Sequence, residues 1–277
     1  MKSSNFKLYT IAIPTINRVL LLKNLLNDLN NQIVKFDLIN DVEIIVSDNS
    51  DNFETKEMIE ELINQLNIDI KYYRNENILK KTSEFHSFDT NIDNLFRKSN
   101  TNYTWILGDD DYITENAVKV VFDIIKNLRE KFINIYIDSL RPFTNISDDI
   151  ITNDKNNFFK ITKFRSGAVT ANIFNTTVWR ETIHQKDLGT GWIHSIYLVK
   201  NLGREKSYIY KDSLKGEYIN LQEHKSSQIY KKVLNNDFYF NAYLNKLLIL
   251  HTLKNYGFSN ELIKLAYNYH YNKFFYR

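Results

Sequence analysis

The sequence predicts an α/β fold with a mostly parallel central sheet, helices on its faces and a helical C-terminal region. Over the first 130 residues, short apolar runs alternate with segments whose apolar residues recur at helical spacing. That alternation favours a parallel sheet, because neighbouring parallel strands have to be joined by a crossover, which is usually a helix. Polar residues follow the apolar runs, and from residue 226 onward the pattern is helical.

Composition limits the class of protein. The 277 residues are 43% apolar, which is enough for one large domain or for one domain with a helical appendage. The absence of cysteine excludes disulfides and cysteine-based zinc or thiol chemistry. The net charge of +3 arises from intermixed signs, so we expect no nucleic-acid partner. The polar start has no signal-peptide pattern and no apolar run is long enough to span a bilayer, which predicts a cytoplasmic protein.

Four strands and their helices are predicted in the first half. The first strand covers residues 8–13, and Asn17 is expected to cap the helix that follows the turn 14–18. The later elements are, in order, a strand at 42–46, a helix at 54–66, a strand at 68–73, a helix around 85–96 and a strand that ends in the acids 109–111. The tips of these strands are polar and should meet at the edge where parallel sheets bind ligands. No glycine-rich dinucleotide or Walker motif is present, which counts against a Rossmann dehydrogenase or a P-loop NTPase.

The most informative stretch is YTWILGDDDY at residues 103–112. A buried strand opens here into three consecutive carboxylates, which repel one another and need a counter-charge to remain ionised together. A divalent cation with oxygen ligands would supply that charge. A solvated turn that caps the next helix is the alternative, and the acids alone do not decide between the two.

The second half carries less regular signals. The predicted elements are, in order, a helix capped by Thr114, a strand at 132–137, a polar excursion at 138–157, a strand at 169–174 and a helix at 176–184. Residues 187–194 (DLGTGWIH) come next, and their two glycines permit a tight approach before a helix at 192–202. The helical C-terminal region has a break at 256–257.

Three segments together resemble the family 2 glycosyltransferases, which have the GT-A fold. They are residues 11–18 (IAIPTINR), 43–50 (EIIVSDNS) and 105–111 (WILGDDD), in an order and separation that fit the family. Each segment alone is weakly specific, but the three in sequence are a strong signal. We divide the chain accordingly into a glycosyltransferase domain at 1–225, with a nucleotide-sugar-binding half at 1–130 and an acceptor half at 131–225, and a helical region at 226–277.

The resemblance implies inverting transfer of a sugar from a nucleoside-diphosphate donor, most often a uridine diphosphate (UDP) sugar, to an acceptor hydroxyl. It also implies Mn²⁺ or Mg²⁺ as cofactor and a bacterial surface glycan or lipid-linked acceptor. The residues expected at the donor are Pro14, Thr15, Asn17, Arg18, Asp48, Arg74, Asn75, Asp109 and Asp110. Aligned on the family's acids, Gly108 stands where the first acid is usual, Asp109 lies near the ribose and Asp110 holds the metal. A literal Asp-x-Asp pattern makes Asp111 the metal ligand instead, and otherwise Asp111 is a structural acid.

An inverting transfer needs a general base that takes the acceptor proton on the face of the sugar opposite the leaving diphosphate. The family supplies an acid at the start of a helix in the second half, but no acidic pair stands directly before the helix at 192–202. Asp187 is the preferred base and His194 the second candidate, with a solvated loop acid and a structural histidine as the alternatives. His224 is a surface histidine, or an additional metal ligand as in some relatives.

The aromatic residues leave further alternatives open. Trp192 either lines an acceptor subsite by stacking on a sugar or anchors its helix in the core. The aromatic tail at 267–277 is expected to pack, with a peripheral membrane contact or a homo-oligomer contact as alternatives. A nucleotide-sugar-binding or scaffold protein that lost turnover is the alternative to an enzyme. A nucleotidyltransferase is disfavoured, because no glycine-rich phosphate loop follows the first strand.

Overall fold

The computed structural model describes residues 7–76, 83–138, 146–211 and 236–275. Its strands are β1 (Tyr9–Thr15), β2 (Val42–Asp48), β3 (Ile70–Arg74), β4 (Tyr103–Ile106), β5 (Asn134–Ile137), β6 (Ile150–Thr152), β7 (Asn172–Asn175) and β8 (Ser207–Tyr210). Its α-helices are α1 (Val19–Lys35), α2 (Glu54–Ile63), α3 (Glu84–Lys98), α4 (Ala117–Lys126), α5 (Lys155–Ile161), α6 (Thr176–Thr182), α7 (Ile193–Asn201), α8 (Asn236–Thr252) and α9 (Asn260–Phe275).

The described strands join one sheet in the order β3-β2-β1-β4-β7-β5-β8-β6. β1 is parallel to β2 and β4, β2 is parallel to β3, and β5 is parallel to β8. β7 runs antiparallel to β4 and β5, and β6 runs antiparallel to β8. Most carboxyl ends therefore point to one edge of the sheet. The predicted α/β fold with a mostly parallel sheet is confirmed.

The sheet is buried between two helical layers. α1, α2 and α4 cover one face, where buried residues such as Ile11 and Leu26 form the larger apolar core. α3, α6 and α7 cover the other face, where the Trp179 ring stacks on Phe96 and Tyr197 at centroid distances of 3.7 and 5.1 Å. Strands that are covered on both faces have continuous apolar runs, which is why the sequence predicts β1, β2 and β4.

Two predicted helix caps are wrong. Arg18 is the N-cap residue of α1, whereas Asn17 has a φ of 51° in the turn before it. Asparagine tolerates this left-handed conformation better than most residues do. Asn116 is the N-cap residue of α4, and the Thr114 carbonyl instead accepts a hydrogen bond from Gln32 of α1 at 2.7 Å. A local capping pattern contains no information on such distant partners.

The region between β5 and β7 is more ordered than the sequence predicts. The predicted polar excursion contains β6 and the start of α5, while its residues 139–145 lie outside the described part of the chain. The strand predicted at 169–174 begins only at Asn172, because Val169–Ala171 forms a 3₁₀ turn. Elements of three or four residues are too short for hydrophobic periodicity to locate.

The C-terminal helices pack against α7 through a third apolar cluster that includes Val199 and Leu262. A 3₁₀ turn at Leu253–Tyr256 and Gly257, which has a φ of 71°, separate α8 from α9 and confirm the predicted break. Glycine is common at this position after a helical turn, because it has no Cβ to clash. Of the helices in the described ranges, none is both long and apolar enough to cross a membrane. The domain boundary predicted at residue 225 lies outside those ranges.

Candidate active site

The carboxyl ends of β1, β2, β3 and β4 bring the predicted polar residues to one crevice. Thr15 is paired in register with Asp48 across β1 and β2. The Thr15 hydroxyl donates a hydrogen bond to Asp109 Oδ2 at 2.7 Å, just beyond β4. The Asn75 N–H, one residue past β3, donates to the Asp48 carbonyl at 2.8 Å. The strand order changes direction between β1 and β4, and such a switch point is where open α/β sheets bind ligands.

Arg18 provides the counter-charge to two of the three acids. Its Nη1 lies 2.6 Å from Asp109 Oδ1 and 3.2 Å from Asp110 Oδ2. Arg18 stands at the start of α1, directly after the turn that leaves β1, and this position brings its side chain to the tip of β4. The sequence predicts a divalent cation as the counter-charge. The structure shows that a guanidinium shares this role.

Asp111 and Asp110 have different surroundings. The Asp111 carboxylate accepts hydrogen bonds from the Gly108 N–H at 2.6 Å and from the Thr170 hydroxyl. Thr170 belongs to the 3₁₀ turn before β7, so Asp111 ties the acid cluster to the second half of the chain. Asp110, by contrast, has 36% of its side chain exposed. Asp110 therefore has room for a ligand, whereas the hydrogen bonds of Asp111 support its structural alternative, and a metal contact of either acid stays a prediction.

Burial raises the pKa of two of the acids. It raises the pKa of Asp109 to about 6, although Arg18 acts in the opposite direction. It also raises the pKa of Asp111 to about 6, against the hydrogen bond from Thr170. The negative charge of Asp110 contributes to both increases. A cation bound beside Asp110 would lower both pKa values and so favour the ionised cluster.

The carboxylates at this position suit a hard divalent cation. A Cβ placed on Gly108 would lie 3.0 Å from both Asp110 Oδ1 and Asp111 Oδ2, so the glycine lets these two oxygens converge. Mg²⁺ and Mn²⁺ prefer oxygen ligands and leave positions for phosphate oxygens and water. Within the described ranges, no three His, Asp or Glu side chains form a ready-made metal cluster. The partly exposed Asp110 fits the oxygen preference of such an ion, and the metal site stays a prediction.

Asp48 is fully buried at the end of β2. Its Oδ2 accepts a hydrogen bond from the Tyr72 hydroxyl at 2.7 Å, and its Oδ1 accepts one from the Ser50 N–H at 2.8 Å. Burial and the contact with Asp48 raise the pKa of Tyr72, so the phenol remains a donor. The Ser50 hydroxyl also donates to Oδ1, so three of about four acceptor sites of this carboxylate are filled, and a contact with a nucleobase stays a prediction.

Asn75 connects β2, β3 and α3. Its side-chain amide donates to Ser47 Oγ and to Asn49 Oδ1, each at 2.8 Å. The side-chain oxygen of Asn75, Oδ1, accepts a hydrogen bond from Asn94 Nδ2 of α3 at 2.9 Å. Asn49 Nδ2 donates to the backbone carbonyl of Ser87 in the same helix at 3.0 Å. Asn75 therefore fixes the wall of the crevice, and direct contact with a donor stays a prediction.

Arg74 stacks on an exposed aromatic ring. The centre of its guanidinium lies 3.8 Å from the centroid of the Phe53 ring, and Phe53 is 55% exposed. Arg74 Nη2 also lies 3.4 Å from the Ser50 carbonyl. A planar pair of an arginine and an aromatic ring next to Asp48 offers a stacking surface for a nucleobase.

On the other side of the crevice, residues 189–192 form the turn that leads into α7. Gly191 has a φ of 71°, and a Cβ at this residue would lie only 2.7 Å from Phe85 Cδ1, so glycine is required. Trp192 is partly buried in the third apolar cluster, with Lys246 Nζ of α8 lying 4.3 Å from the centre of its ring. Trp192 therefore anchors α7 to the C-terminal helices, and its contact with an acceptor stays a prediction.

His194 is buried and neutral. Its Nε2 lies 2.9 Å from the Gly167 carbonyl, so Nε2 carries the proton and Nδ1 is the acceptor nitrogen. Among the described residues, Nδ1 has no hydrogen-bond partner. Burial lowers the pKa of His194 to about 4. Gly167 lies three residues before Thr170, the partner of Asp111, so one short segment links His194 to the acid cluster.

Asp187 is held by the protein. Its Oδ2 accepts hydrogen bonds from the Lys200 ammonium at 2.5 Å and from the His184 N–H at 2.9 Å, and 10% of its side chain is exposed. The second contact caps the short 3₁₀ turn at Gln185–Asp187. These contacts give Asp187 a structural role, and its assignment as general base stays a prediction.

Part of the aromatic tail at residues 267–277 lies in the described part of the chain. Tyr269 lies 5.9 Å from Phe164 between ring centroids, and Tyr267 packs in the third apolar cluster, as in the packing alternative. His224, Tyr276 and Arg277 lie outside the described residues.

Sequence reasoning missed several residues that contact the predicted ones. They are Phe53, Tyr72, Asp89, Asn91 and Thr170. Ser47, Asn49 and Ser50 belong to the predicted polar tip of β2, and the structure adds their hydrogen-bond partners. Tyr72 and Thr170 have no signal in the sequence, because strand pairing and the return of the chain after β5 bring them to the acids.

A mostly parallel sheet whose strand tips gather a buried carboxylate and an acid cluster is typical of the GT-A class of glycosyltransferases. The chain is similar to the structure of Staphylococcus aureus TarS residues 1–349, with a TM-score of 0.65 and 15% identity over 97% of this chain and 72% of that one. The same TarS fragment has been solved with UDP-GlcNAc. The mannosyltransferase PcManGT from Pyrobaculum calidifontis, solved with GDP-Man and Mn²⁺, matches 96% of this chain and 70% of that one, with a TM-score of 0.59 and 9% identity.

The sequence profile of glycosyl transferase family 2 matches residues 10–186, more than half of the chain, and the chain belongs to this family. The chain is also 37% identical over 114 residues to the abequosyltransferase RfbV of Salmonella typhimurium. That segment is 41% of this chain and 31% of the relative, so the match spans about a third of the relative's length. The family that the three sequence segments predict is therefore confirmed.

Proposed function

We propose that this glycosyltransferase is metal-dependent, takes its sugar from a UDP-sugar and transfers it with inversion to an acceptor hydroxyl in the synthesis of a bacterial surface glycan. The observation that carries this proposal is the crevice at the carboxyl ends of β2, β1 and β4, where the buried Asp48, Arg18 and the partly exposed Asp110 line one edge. The nucleotide sugars bound by TarS and PcManGT support the donor class.

The donor nucleotide has a separate partner for each part. Asp48 would accept an N–H of the base, while Arg74 and Phe53 stack on its face. Asp109, held between Thr15 and Arg18, would face the ribose. These groups are already fixed by hydrogen bonds before a donor arrives, so little ordering entropy is lost on binding.

The diphosphate would meet Arg18 and Asp110. A bound Mn²⁺ or Mg²⁺ would stabilise the negative charge that develops on the leaving diphosphate. Asp110 would hold this ion, with Asp111 Oδ2 beside it at the space left by Gly108. Arg18 adds a fixed positive charge at the same position, since it contacts Asp110 at 3.2 Å.

The acceptor would enter from the side of Trp192, whose ring can stack on a sugar. Asp187 is the proposed base, because a carboxylate takes the proton and also favours the positive charge on the reacting sugar. Because Lys200 and the His184 N–H contact Oδ2, the proton would go to Oδ1. His194 is the second candidate, but a pKa of about 4 makes it a weak proton acceptor at neutral pH. With such a donor we place the reaction in the cytoplasm, and a lipid-linked acceptor would bring the protein to the inner face of the plasma membrane.

Hydrolysis of UDP-GlcNAc and of GDP-Man, with and without Mn²⁺, tests the donor and metal assignments. We expect metal-stimulated hydrolysis of the UDP-sugar and a loss of about 10²–10³ in rate for Asp110→Asn, which removes charge stabilisation at the leaving group. Asp123→Asn is the matched control, because Asp123 is a similarly exposed acid that pairs with Lys119 on α4. Equal rates in both variants would reject Asp110 as the metal ligand.

Asp187→Asn and His194→Gln test the base. We expect Asp187→Asn to retain UDP affinity and to lose transfer by about 10²–10⁴, as for a missing general base. Lys200→Gln is the control, since it breaks the same ion pair and leaves the carboxylate in place. If the two variants lose equal activity in proportion to lost stability, Asp187 is structural.

The pairing of Asp187 with Lys200 also favours a second candidate function, a nucleotide-sugar-binding protein with little turnover. Such a protein would bind UDP with Mn²⁺ and gain thermal stability, since a ligand of the native state raises the melting temperature. It would release no UDP from a UDP-sugar, even with acceptors present. Donor turnover above the rate of the Asp110→Asn variant excludes this function.

A further inference from the structure

Asp89, in α3, is fully buried and takes no part in the donor crevice. Its carboxylate accepts hydrogen bonds from the backbone of the turn that begins α7. The donors to Oδ2 are the N–H groups of Gly189 at 2.9 Å, Thr190 at 2.9 Å and Gly191 at 3.0 Å, and the donor to Oδ1 is the Ile193 N–H at 3.2 Å. One side chain thus satisfies four N–H groups of a segment about 100 residues away in the chain.

A carboxylate is the group that can do this. Burial raises the pKa of Asp89, and the four N–H groups act against that increase. They also lie at the N-terminal end of α7, where the helix dipole favours a negative charge. An asparagine in its place would offer one acceptor oxygen and would direct an NH₂ group at other donors. The conformation of the turn therefore depends on the charge of Asp89 as well as on the size and shape of its side chain.

Another face of α3 contacts the strand tips that form the donor crevice. Ser87 accepts a hydrogen bond from Asn49 at 2.8 Å, and Asn91 Nδ2 lies 3.4 Å from the Thr15 carbonyl. Residues four apart share one face of a helix, whereas the residue midway between them points to the opposite side. Asp89 lies midway between Ser87 and Asn91. α3 therefore contacts the strand tips through one face and the turn of α7 through the other.

We propose that Asp89 is a positioning residue that fixes the turn 189–193, and with it Trp192, relative to the donor crevice. The role of that turn toward an acceptor rests on the proposed function. The position of the turn itself does not depend on it. Asn245 of α8 holds the turn from its outer side by donating to the Thr190 carbonyl at 3.1 Å.

Hydrogen exchange resolved to single amides tests this proposal in the wild-type chain. The amides of Gly189, Thr190, Gly191 and Ile193 should exchange about as slowly as those in the middle of β1, although they belong to a turn. Exchange as fast as that of exposed loop amides would overturn the proposal without any variant.

Asp89→Asn adds the comparison with a matched variant. Asp93→Asn is the control, because Asp93 is a buried acid one turn further along α3 that accepts the Trp179 Nε1–H at 3.0 Å. We expect Asp89→Asn to speed exchange of the four turn amides by about tenfold or more, and Asp93→Asn to leave them protected. UDP affinity should stay within about twofold of wild type in both variants. Equal exchange profiles in the two variants would reduce Asp89 to a general stability residue and overturn the proposal.

Donor measurements separate this inference from the proposed function. Failure of the wild-type chain to bind UDP with Mn²⁺ would remove the proposed donor and leave the exchange result unaffected. If the chain binds UDP but the turn amides exchange rapidly, the donor assignment is supported and the proposed role of Asp89 is rejected. In Asp89→Asn, we expect the ratio of sugar transfer to hydrolysis of UDP-GlcNAc by water to fall, because water needs no positioned turn.

Discussion

The two sides of the crevice are built in different ways. The donor side consists of the tips of β1 to β4, which strand pairing holds in register, and its charges are paired, as in Arg18 with Asp109. The acceptor side consists of separate segments that side chains join across long stretches of sequence, as Asp89 joins the turn at Gly191. Its buried histidine, His194, is neutral.

This difference has a physical consequence for specificity. Backbone ladders are independent of side-chain identity, so the donor side can persist while the sequence changes around it. Side-chain hydrogen bonds disappear with a single substitution, so the acceptor side can change shape at small cost to the sheet. The shared fold of structures that are only 9–15% identical to this chain agrees with such persistence of the sheet.

The largest expected effect is on the donor side. Arg18→Met should lower the free energy of unfolding by about 3–5 kcal/mol, because it leaves the buried Asp109 charge without its partner. Urea unfolding at neutral pH measures this. Lys119→Met is the control, since Lys119 pairs with the exposed Asp123 and should cost less than about 1 kcal/mol. Equal losses of stability in Arg18→Met and Lys119→Met would show that the Arg18–Asp109 pair is as solvated as a surface ion pair. The paired, buried charges would then not distinguish the donor side.

The next effect concerns pH on the acceptor side. The pKa of His194 is lowered to about 4 in the folded protein, against about 6.5 in an unfolded chain. The unfolded chain therefore binds more protons between these values, and the contribution of His194 to stability is lost as the pH falls from 6.5 to 4. We expect the loss to approach roughly 3 kcal/mol. The difference between wild type and His194→Gln in urea unfolding at pH 7 and at pH 4.5 isolates it, and a pH-independent difference would mean that His194 is solvated.

A smaller effect tests the base pocket. Asp48→Ala should weaken UDP binding by about 1–3 kcal/mol, the range for a hydrogen bond to a charged group. Tyr72→Phe is the matched variant, because it removes the hydroxyl at 2.7 Å from Asp48 and keeps the acid. Calorimetric titration with UDP should therefore show a clear loss for the first variant and at most about 1 kcal/mol for the second. Unchanged UDP affinity in Asp48→Ala would show that Asp48 does not contact the base and only caps the turn after β2.

The smallest effect tests how α8 supports the turn. Asn245→Ala should cost about 1 kcal/mol of stability, because it removes one neutral hydrogen bond to the Thr190 carbonyl. Asn64→Ala is the control, since Asn64 bonds only within its own helix region, to the Glu60 carbonyl at the surface. Thermal unfolding of both variants provides the measurement. No difference between them would show that α8 does not hold the turn through this contact.

The sequence by itself determined the fold class and the position of the donor side. Apolar runs that end in polar residues predict both β1 and the acid cluster after β4, because burial on two faces leaves a pattern in consecutive residues. The break at Gly257 can be predicted from the sequence for a similar reason, because the helical periodicity stops there. All of these features are encoded within a few neighbouring residues.

Only the tertiary structure decided which role each charged residue has. Arg18 and Asp109 are 91 residues apart, and their contact at 2.6 Å depends on β1 lying beside β4. The three acids are adjacent and alike in sequence, yet Asp111 turns to Thr170 while Asp110 stays partly exposed. Charge pairing and burial depend on distances between segments that the fold brings together, and periodicity along one segment contains no record of them.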